Sequence, residues 1–204
     1  MNTRQKILDK ALEMFNERGI EYVGLRELAA VLDMRVGNLT YYFPTKDDLV
    51  YHISLELAKS NAAVMVVDEN MTMAGFLGML ERVFQNHTRF RCLLLSFVHV
   101  IAQNQQVAAR YKKTQEVRSD TIASSLEVLR KAGYLKAEEG VNPAFLVSIL
   151  ALISRFWISE AAISGRKMKH EEQITYYLSL VTDLLWPYAT AKGRKEITGF
   201  RKKT

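Results

Sequence analysis

Between Gly24 and Pro44 the sequence sets out two short helical segments and leaves only two or three residues to turn between them. The first segment carries Leu25, Leu28, Ala29 and Leu32 on one face, with Glu27 in its first turn, where a carboxylate complements the helix dipole. The second points Met34, Leu39 and Phe43 inward and stops before Pro44, because the residue ahead of a proline resists the helical region. Two helices joined by so tight a turn cross at a steep angle, and the rest of the chain has to be read around that constraint.

The flanking segments are also helical. Thr3 is the expected N-cap of a helix bearing Ile7, Leu8, Ala11, Leu12 and Phe15, with Gly19 stopping it. Thr45 is expected to cap a fourth helix, with Asp47 and Asp48 in its first turn and Leu49, Val50, Ile53 and Leu57 along its stripe. Further helices are predicted over residues 72–90, 92–102, 106–132, 143–164 and 171–186, with Pro143 at an allowed first-turn position. Only three prolines and ten glycines punctuate 204 residues. The expected fold is all-α with about nine helices: a three-helix helix-turn-helix domain over residues 1–48, an antiparallel helical bundle over 49–190, and a basic C-terminal tail, 191–204, expected to be flexible.

The net charge of +6 does not locate a DNA-binding surface. Residues 1–50 hold seven Lys and Arg against eight Asp and Glu, net −1, whereas residues 191–204 hold six against one, net +5. A cluster of lysines at one end raises the isoelectric point as readily as a phosphate-facing groove does. A single cysteine, Cys92, excludes an internal disulfide and a CxxC metal or redox site. The start, MNTRQKILDKALEMF, lacks the unbroken apolar stretch of a signal peptide. The longest apolar run, 144–153, falls well short of roughly 18 residues, so no membrane span and a cytoplasmic location are expected. Catalysis is not expected either. None of His52, His87, His99 and His170 has a second histidine at metal-binding spacing, and only His52 has a carboxylate there (Glu56). Ser96 and His99 lack an orienting acid, and no glycine-rich phosphate loop is present, so neither metal nor cofactor is anticipated.

A helix-turn-helix of this size places its second helix in the DNA major groove and its first across the backbone. The run GIEYVGLRELAAVLDMRVGNLTYYFPTKDDLV goes further and resembles the N-terminal domain of TetR-family transcriptional regulators. Tyr42, Phe43, Thr45, Lys46 and Leu49 carry the resemblance, after a glycine that closes helix one and the RELA of helix two. It covers about 47 residues, and RFRCLLLSFVHVIAQNQQVAARYKK looks like the entry to the ligand domain of one TetR subgroup. Three positions depart from the family pattern. Gly24 stands where Ser or Thr is usual, Asp33 where glycine is usual in the turn, and Arg35 where Ser commonly starts the third helix. Aspartate tolerates the left-handed conformation better than most residues.

Subtracting the inward residues of the third helix leaves a recognition surface of Arg35, Val36, Gly37, Asn38, Thr40 and Tyr41. Arg35 suits guanine O6 and N7, Asn38 suits adenine, and the Thr40 methyl or Tyr41 ring suits a thymine methyl. Gly24, Tyr42 and Lys46 are expected to hold phosphates of double-stranded DNA. His99, Tyr111, Arg155 and Trp157 are the candidate contacts for a small-molecule effector, being polar or amphipathic groups on apolar helices. The last two helices carry more apolar residues than one face needs, and the resemblance implies a four-helix dimer bundle, with Ile149, Ile153, Leu178, Val181 and Leu185 as its candidate residues. The expected protein is a homodimeric repressor of a palindromic operator, released by an unknown effector. The alternative is a helical adaptor that no longer binds DNA, favoured by the near-neutral first fifty residues.

Overall fold

The computed structural model describes residues 2–137 and 142–202. The chain runs through α1 (Thr3–Arg18), α2 (Leu25–Val31), α3 (Val36–Tyr42), α4 (Lys46–Val64), α5 (Met73–Arg89), α6 (Arg91–Leu95), α7 (Phe97–Gln103), α8 (Gln105–Lys131), α9 (Pro143–Ile163), α10 (His170–Leu185) and α11 (Ala191–Arg201). Among the described residues there is no strand, and Leu135 pairs with Ala189 in an isolated bridge. Eleven helices replace the nine expected because the segment at 92–102 breaks at Ser96 into α6 and α7, and because the C-terminal tail folds.

Two compact units form. One contains the first sixty residues and Arg89–Lys112, the other Asn61–Thr88 and Lys113–Thr204. The boundary expected at residue 48 falls inside α4, whose Leu49, Val50 and Ile53 are buried with the first unit. Residues 89–112 join that unit through polar ties as well as packing. The Asn16 amide donates to the Arg89 carbonyl (2.8 Å) and its Oδ1 accepts from Cys92 N–H (3.0 Å), while Asn104 donates to the Asp47 carbonyl (2.9 Å).

In the first unit Ile7, Leu8, Ala11 and Phe15 of α1 pack with Leu28, Ala29, Leu39, Phe43, Leu49 and Ile53. The N-cap of α1 is Asn2 rather than Thr3, its side chain accepting from Arg4 N–H at 3.1 Å. At the other end Gly19 adopts φ 93°, a left-handed stop that an L side chain rarely takes.

The second unit is built on α5, α9 and α10, with Phe76, Leu77, Phe84, Leu146, Leu150, Leu178, Val181 and Leu185 in its core. Helix α9 alone among the described helices is long and apolar enough to cross a bilayer, with mean hydropathy 1.7 over its best window. Here one side of it, including Leu146, Leu150, Trp157 and Ile158, is buried in the bundle.

The tail expected to be flexible is helical over Ala191–Arg201. Its charge concealed a stripe: Gly193, Ile197 and Phe200 face inward at helical spacing. Thr190 caps the helix, Glu196 accepts the Ala74 N–H at 2.8 Å, Lys192 donates to the Ala132 carbonyl at 2.9 Å, and Arg201 donates to Thr182 Oγ1 at 2.8 Å. Gly193 permits the seating, since a Cβ there would stand 2.2 Å from the Tyr134 carbonyl oxygen.

Candidate nucleic-acid interface

Helix α2 begins at Gly24, which is extended (φ −99°, ψ 156°) and supplies no side-chain cap. Open space surrounds the place where its Cβ would stand. Glu27 in the first turn is gripped by Arg18 of α1. That hydrogen bond holds the Glu27 carboxyl below the usual carboxylate range. The pair ties α1 to α2, and Arg18 also reaches the Tyr22 carbonyl at 3.5 Å.

The turn closes as a Schellman motif. Asp33 N–H bonds the Ala30 carbonyl (3.1 Å) and Met34 N–H the Ala29 carbonyl (3.0 Å), with Asp33 itself at φ 51°. The left-handed conformation anticipated for Asp33 is therefore present.

Helix α3 then starts from extended Arg35, whose carbonyl accepts from Asn38 N–H at 2.9 Å. Leu39 and Phe43 are fully buried and lock one side of the helix. Arg35, Val36, Gly37, Asn38 and Tyr41 are exposed on the other, with Tyr41 at 83%. Among the described residues nothing stands within 4 Å of where a Gly37 Cβ would lie. Thr40 is half-buried and its hydroxyl donates back to the Gly37 carbonyl (3.3 Å). Tyr42 is half-buried beside Tyr41, ring edge to face at 5.3 Å. Of the expected recognition residues, Arg35, Val36, Gly37, Asn38 and Tyr41 are therefore the exposed ones.

Lys46, expected to hold a phosphate, is differently employed. Its ammonium donates to the carbonyls of Ile20 (3.0 Å) and Glu21 (3.3 Å), which leaves one of its three donors. A lysine just past α3 closes the α1–α2 loop because that loop's carbonyls have no helical partner.

Nothing in the sequence pairs Arg4 with His52. The Arg4 guanidinium meets His52 Nδ1 at 2.9 Å and lies 5.0 Å over the Phe43 ring. Burial, and then the Arg4 charge, push the His52 pKa down, so neutral His52 accepts the bond. No local signal links residues 48 positions apart. No group of metal-ligating side chains occurs among the described residues.

This exposed helix-turn-helix matches known proteins by sequence. Residues 7–53 match the family described as "Bacterial regulatory proteins, tetR family", and residues 58–197 match the TetR family described as "Bacterial transcriptional repressor". The chain belongs to the TetR family. It is 29% identical over 86 residues to the probable HTH-type transcriptional regulator YttP of Bacillus subtilis, a match covering 37% of this chain and only 42% of that regulator. A TetR-family regulator from Marinobacter aquaeolei shares its fold with a TM-score of 0.91 at 23% identity, covering 100% of this chain and 98% of the other. SmeT, solved as a complex with triclosan, shares it at 0.63 and 16% identity, with 94% and 93% covered. The chain is a transcriptional regulator of TetR type.

The residues expected around an effector of this TetR-family protein divide between the units. His99 is exposed on α7, and Tyr111 sits edge-on to Phe97 at 4.8 Å, both in the first unit. Arg155 and Trp157 lie in the second, Arg155 half-buried with its guanidinium 5.8 Å from the Phe156 ring centre. Trp157 is buried; its indole N–H donates to His87 Nδ1 (3.3 Å) and its ring stacks on Phe84 at 5.0 Å. His87 in turn meets Asn61 at 3.4 Å, and Asn61 accepts from Asn86 at 3.0 Å. This polar chain through the core brings residues 61, 86, 87 and 157 together, which no sequence spacing announces.

Among the expected dimer residues, Leu178, Val181 and Leu185 are at most 1% exposed within their own unit and have no surface left to offer a second copy. Ile149 and Ile153 are half-buried. The apolar surface that remains is on the other side of the hairpin: Leu152 and Leu180 flank a groove of about 270 Å³ between α9 and α10, floored by Phe156, Trp157 and Tyr176. Of the five residues expected at a dimer interface, Ile153 lines this groove, whereas Leu178, Val181 and Leu185 are on the inner face.

Proposed function

We propose that this TetR-family regulator is a homodimeric repressor that reads a palindromic operator with α3 and is released by a small molecule. The observation that carries the DNA reading is the one-sided burial of α3: with Leu39 and Phe43 fixed in the core, Arg35, Asn38 and Tyr41 project together from a rigid helix. Arg35 pairs with a guanine, Asn38 with an adenine, and the Tyr41 ring packs on a thymine methyl. One seven-residue recognition helix makes few base contacts, so two copies on one site raise affinity to a useful level. The second copy packs on Leu152, Leu180 and the groove between α9 and α10.

Release requires an effector that binds better to a conformation unable to span both half-sites. Its site is in the second unit, where Arg155 and Trp157 stand. The test is selection from a random DNA pool followed by titration of the selected duplex. Enrichment of an inverted repeat, with Asn38→Ala losing about 1–3 kcal/mol mainly at one base pair of each half-site, supports the reading. A chain that enriches no sequence is an adaptor.

A further inference from the structure

Asn104 stands where the ends of α7, α8 and α4 meet in the first unit, and it is only 6% exposed. Its backbone N–H donates to the Val100 carbonyl of α7 (2.9 Å), its carbonyl accepts from Ala108 N–H (2.9 Å), and its Oδ1 accepts from Val107 N–H (3.0 Å) in the first turn of α8. The side-chain nitrogen donates to the Asp47 carbonyl in the first turn of α4 (2.9 Å). Capping α8 needs the side-chain oxygen alone, which Ser or Asp supplies as well. The Asp47 carbonyl lies inside α4, where it has a helical partner four residues on, and it takes this second bond on its other lone pair. The bond therefore repairs no stranded group of α4; it fastens one helix to the other.

The turn it grips is the one that seats the helix-turn-helix. Lys46, next to Asp47, holds the Ile20 and Glu21 carbonyls ahead of α2, and Asp48 Oδ2 accepts from both Thr45 N–H (3.0 Å) and Thr45 Oγ1 (2.7 Å). Only Phe43, Pro44 and Thr45 separate α3 from α4, and Phe43 and Leu49 are fully buried on either side of that junction, so a displacement of Asp47 is passed on to α3. Helix α8, for its part, starts in this unit and continues into the second.

We infer that Asn104 is a positioning residue for operator reading: its amide fastens the first turn of α4 to the start of α8 and so sets the pose of α3. The inference rests on the DNA-binding reading above and adds the contact that decides how sharply paired recognition helices match one half-site spacing. The bond is lost once its partners part by about 1 Å, so a shift of the α8 start by that much frees the first turn of α4. Such a shift is a conformational change on which an effector's preference can act.

The experiment compares the full-length wild type with Asn104→Ser and Asn104→Asp, both of which keep an oxygen for Val107 N–H and lose the donor to Asp47. The serine keeps the site neutral, and the aspartate keeps its volume. Asn142→Asp makes the same exchange at the N-cap of α9, in the second unit, and is the control. Each protein is titrated with the selected duplex, with a scrambled duplex of equal length, and with selected duplexes whose spacer between half-sites is longer or shorter by a single base pair; circular dichroism reads the melt. One net hydrogen bond in each of two protomers is worth roughly tenfold in affinity. Both Asn104 variants are therefore expected to bind the selected duplex about tenfold more weakly, to bind the scrambled duplex as wild type does, and to discriminate less against the altered spacers. Asn142→Asp is expected to match wild type throughout. Asn104 variants that bind and discriminate as wild type does, or that lose affinity equally on every duplex as a weakened fold would, overturn the inference while wild-type binding leaves the DNA-binding reading standing. Failure of the wild type to bind any selected duplex overturns both.

Discussion

Replacing Gly193 by alanine tests whether α11 is a seated helix. A Cβ at this position would lie 2.2 Å from the Tyr134 carbonyl oxygen and 3.2 Å from the Ala189 Cβ. The oxygen cannot retreat freely, because it accepts from Thr190 N–H (3.0 Å) and Thr190 Oγ1 (3.3 Å). Relief therefore comes from moving α11 outward by about 1 Å, which loosens Ile197, fully buried, and Phe200, 9% exposed. Full loss of two such side chains from the core costs about 3–6 kcal/mol, and alanine recovers about 1 kcal/mol of helix propensity. Partial relaxation leaves an expected net loss of about 2–4 kcal/mol. In a chain of this size that lowers the melting temperature by roughly 5–15 °C. Circular dichroism reads the melt, and limited trypsin digestion reads the exposure of Lys192, Arg194 and Lys195. Gly199→Ala is the internal control, since nothing stands within 4 Å of its Cβ position. It is expected to melt at or above the wild-type temperature. Equal melting of Gly193→Ala and Gly199→Ala refutes the reasoning.

Asp33→Gly relieves a left-handed backbone at φ 51° and is expected to raise the urea midpoint by the equivalent of about 0.5–1 kcal/mol, whereas Asp33→Ala lowers it; the reverse order would show that Asp33 is not strained. Burial pushes the His87 pKa down to about 3, so an unfolded chain takes up a proton near pH 6.5 while the folded one stays neutral. The unfolded state then binds more protons between those values, and stability falls as pH falls by up to about 1.4 kcal/mol per unit. Urea midpoints of His87→Gln from pH 7 to pH 5 should lack this dependence; an identical pH slope in wild type and variant assigns it elsewhere. Leu152→Glu with Leu180→Glu is expected to leave the helical spectrum intact and turn a dimer into a monomer in sedimentation, while Leu178→Glu unfolds the second unit. A double variant that stays dimeric places the interface on another face.

The helix-turn-helix was legible because its information is local: Leu28, Ala29, Leu39 and Phe43 at helical spacing, a turn too short for anything else, and a proline to end it. Asp33 could be placed in the left-handed region for the same reason. What the sequence hid depends on distant partners. That Lys46 bonds the Ile20 and Glu21 carbonyls could not be read from spacing, because they lie some twenty-five residues away. Leu178 and Leu152 are equally apolar on paper, and only the packing of α10 on α9 decides which of them is core. The tail was misread because its charge was counted and its period was not. Gly193, Ile197 and Phe200 are spaced for a helix, but the clue that they pack is a carbonyl almost sixty residues earlier.

The internal engagement of Arg4, Arg18 and Lys46 bears on how many molecules a cell must make to keep an operator filled. Chromosomal DNA offers roughly 10⁶–10⁹ competing sites, and a regulator rich in free cations is held mostly on them. A helix-turn-helix whose cations fasten α1 to α2, the N-terminus to His52, and α4 to the loop before α2 is bound less by that reservoir. On the DNA-binding reading proposed above, each such engaged cation lowers the share of molecules held away from the operator, and with it the number of copies needed to fill it.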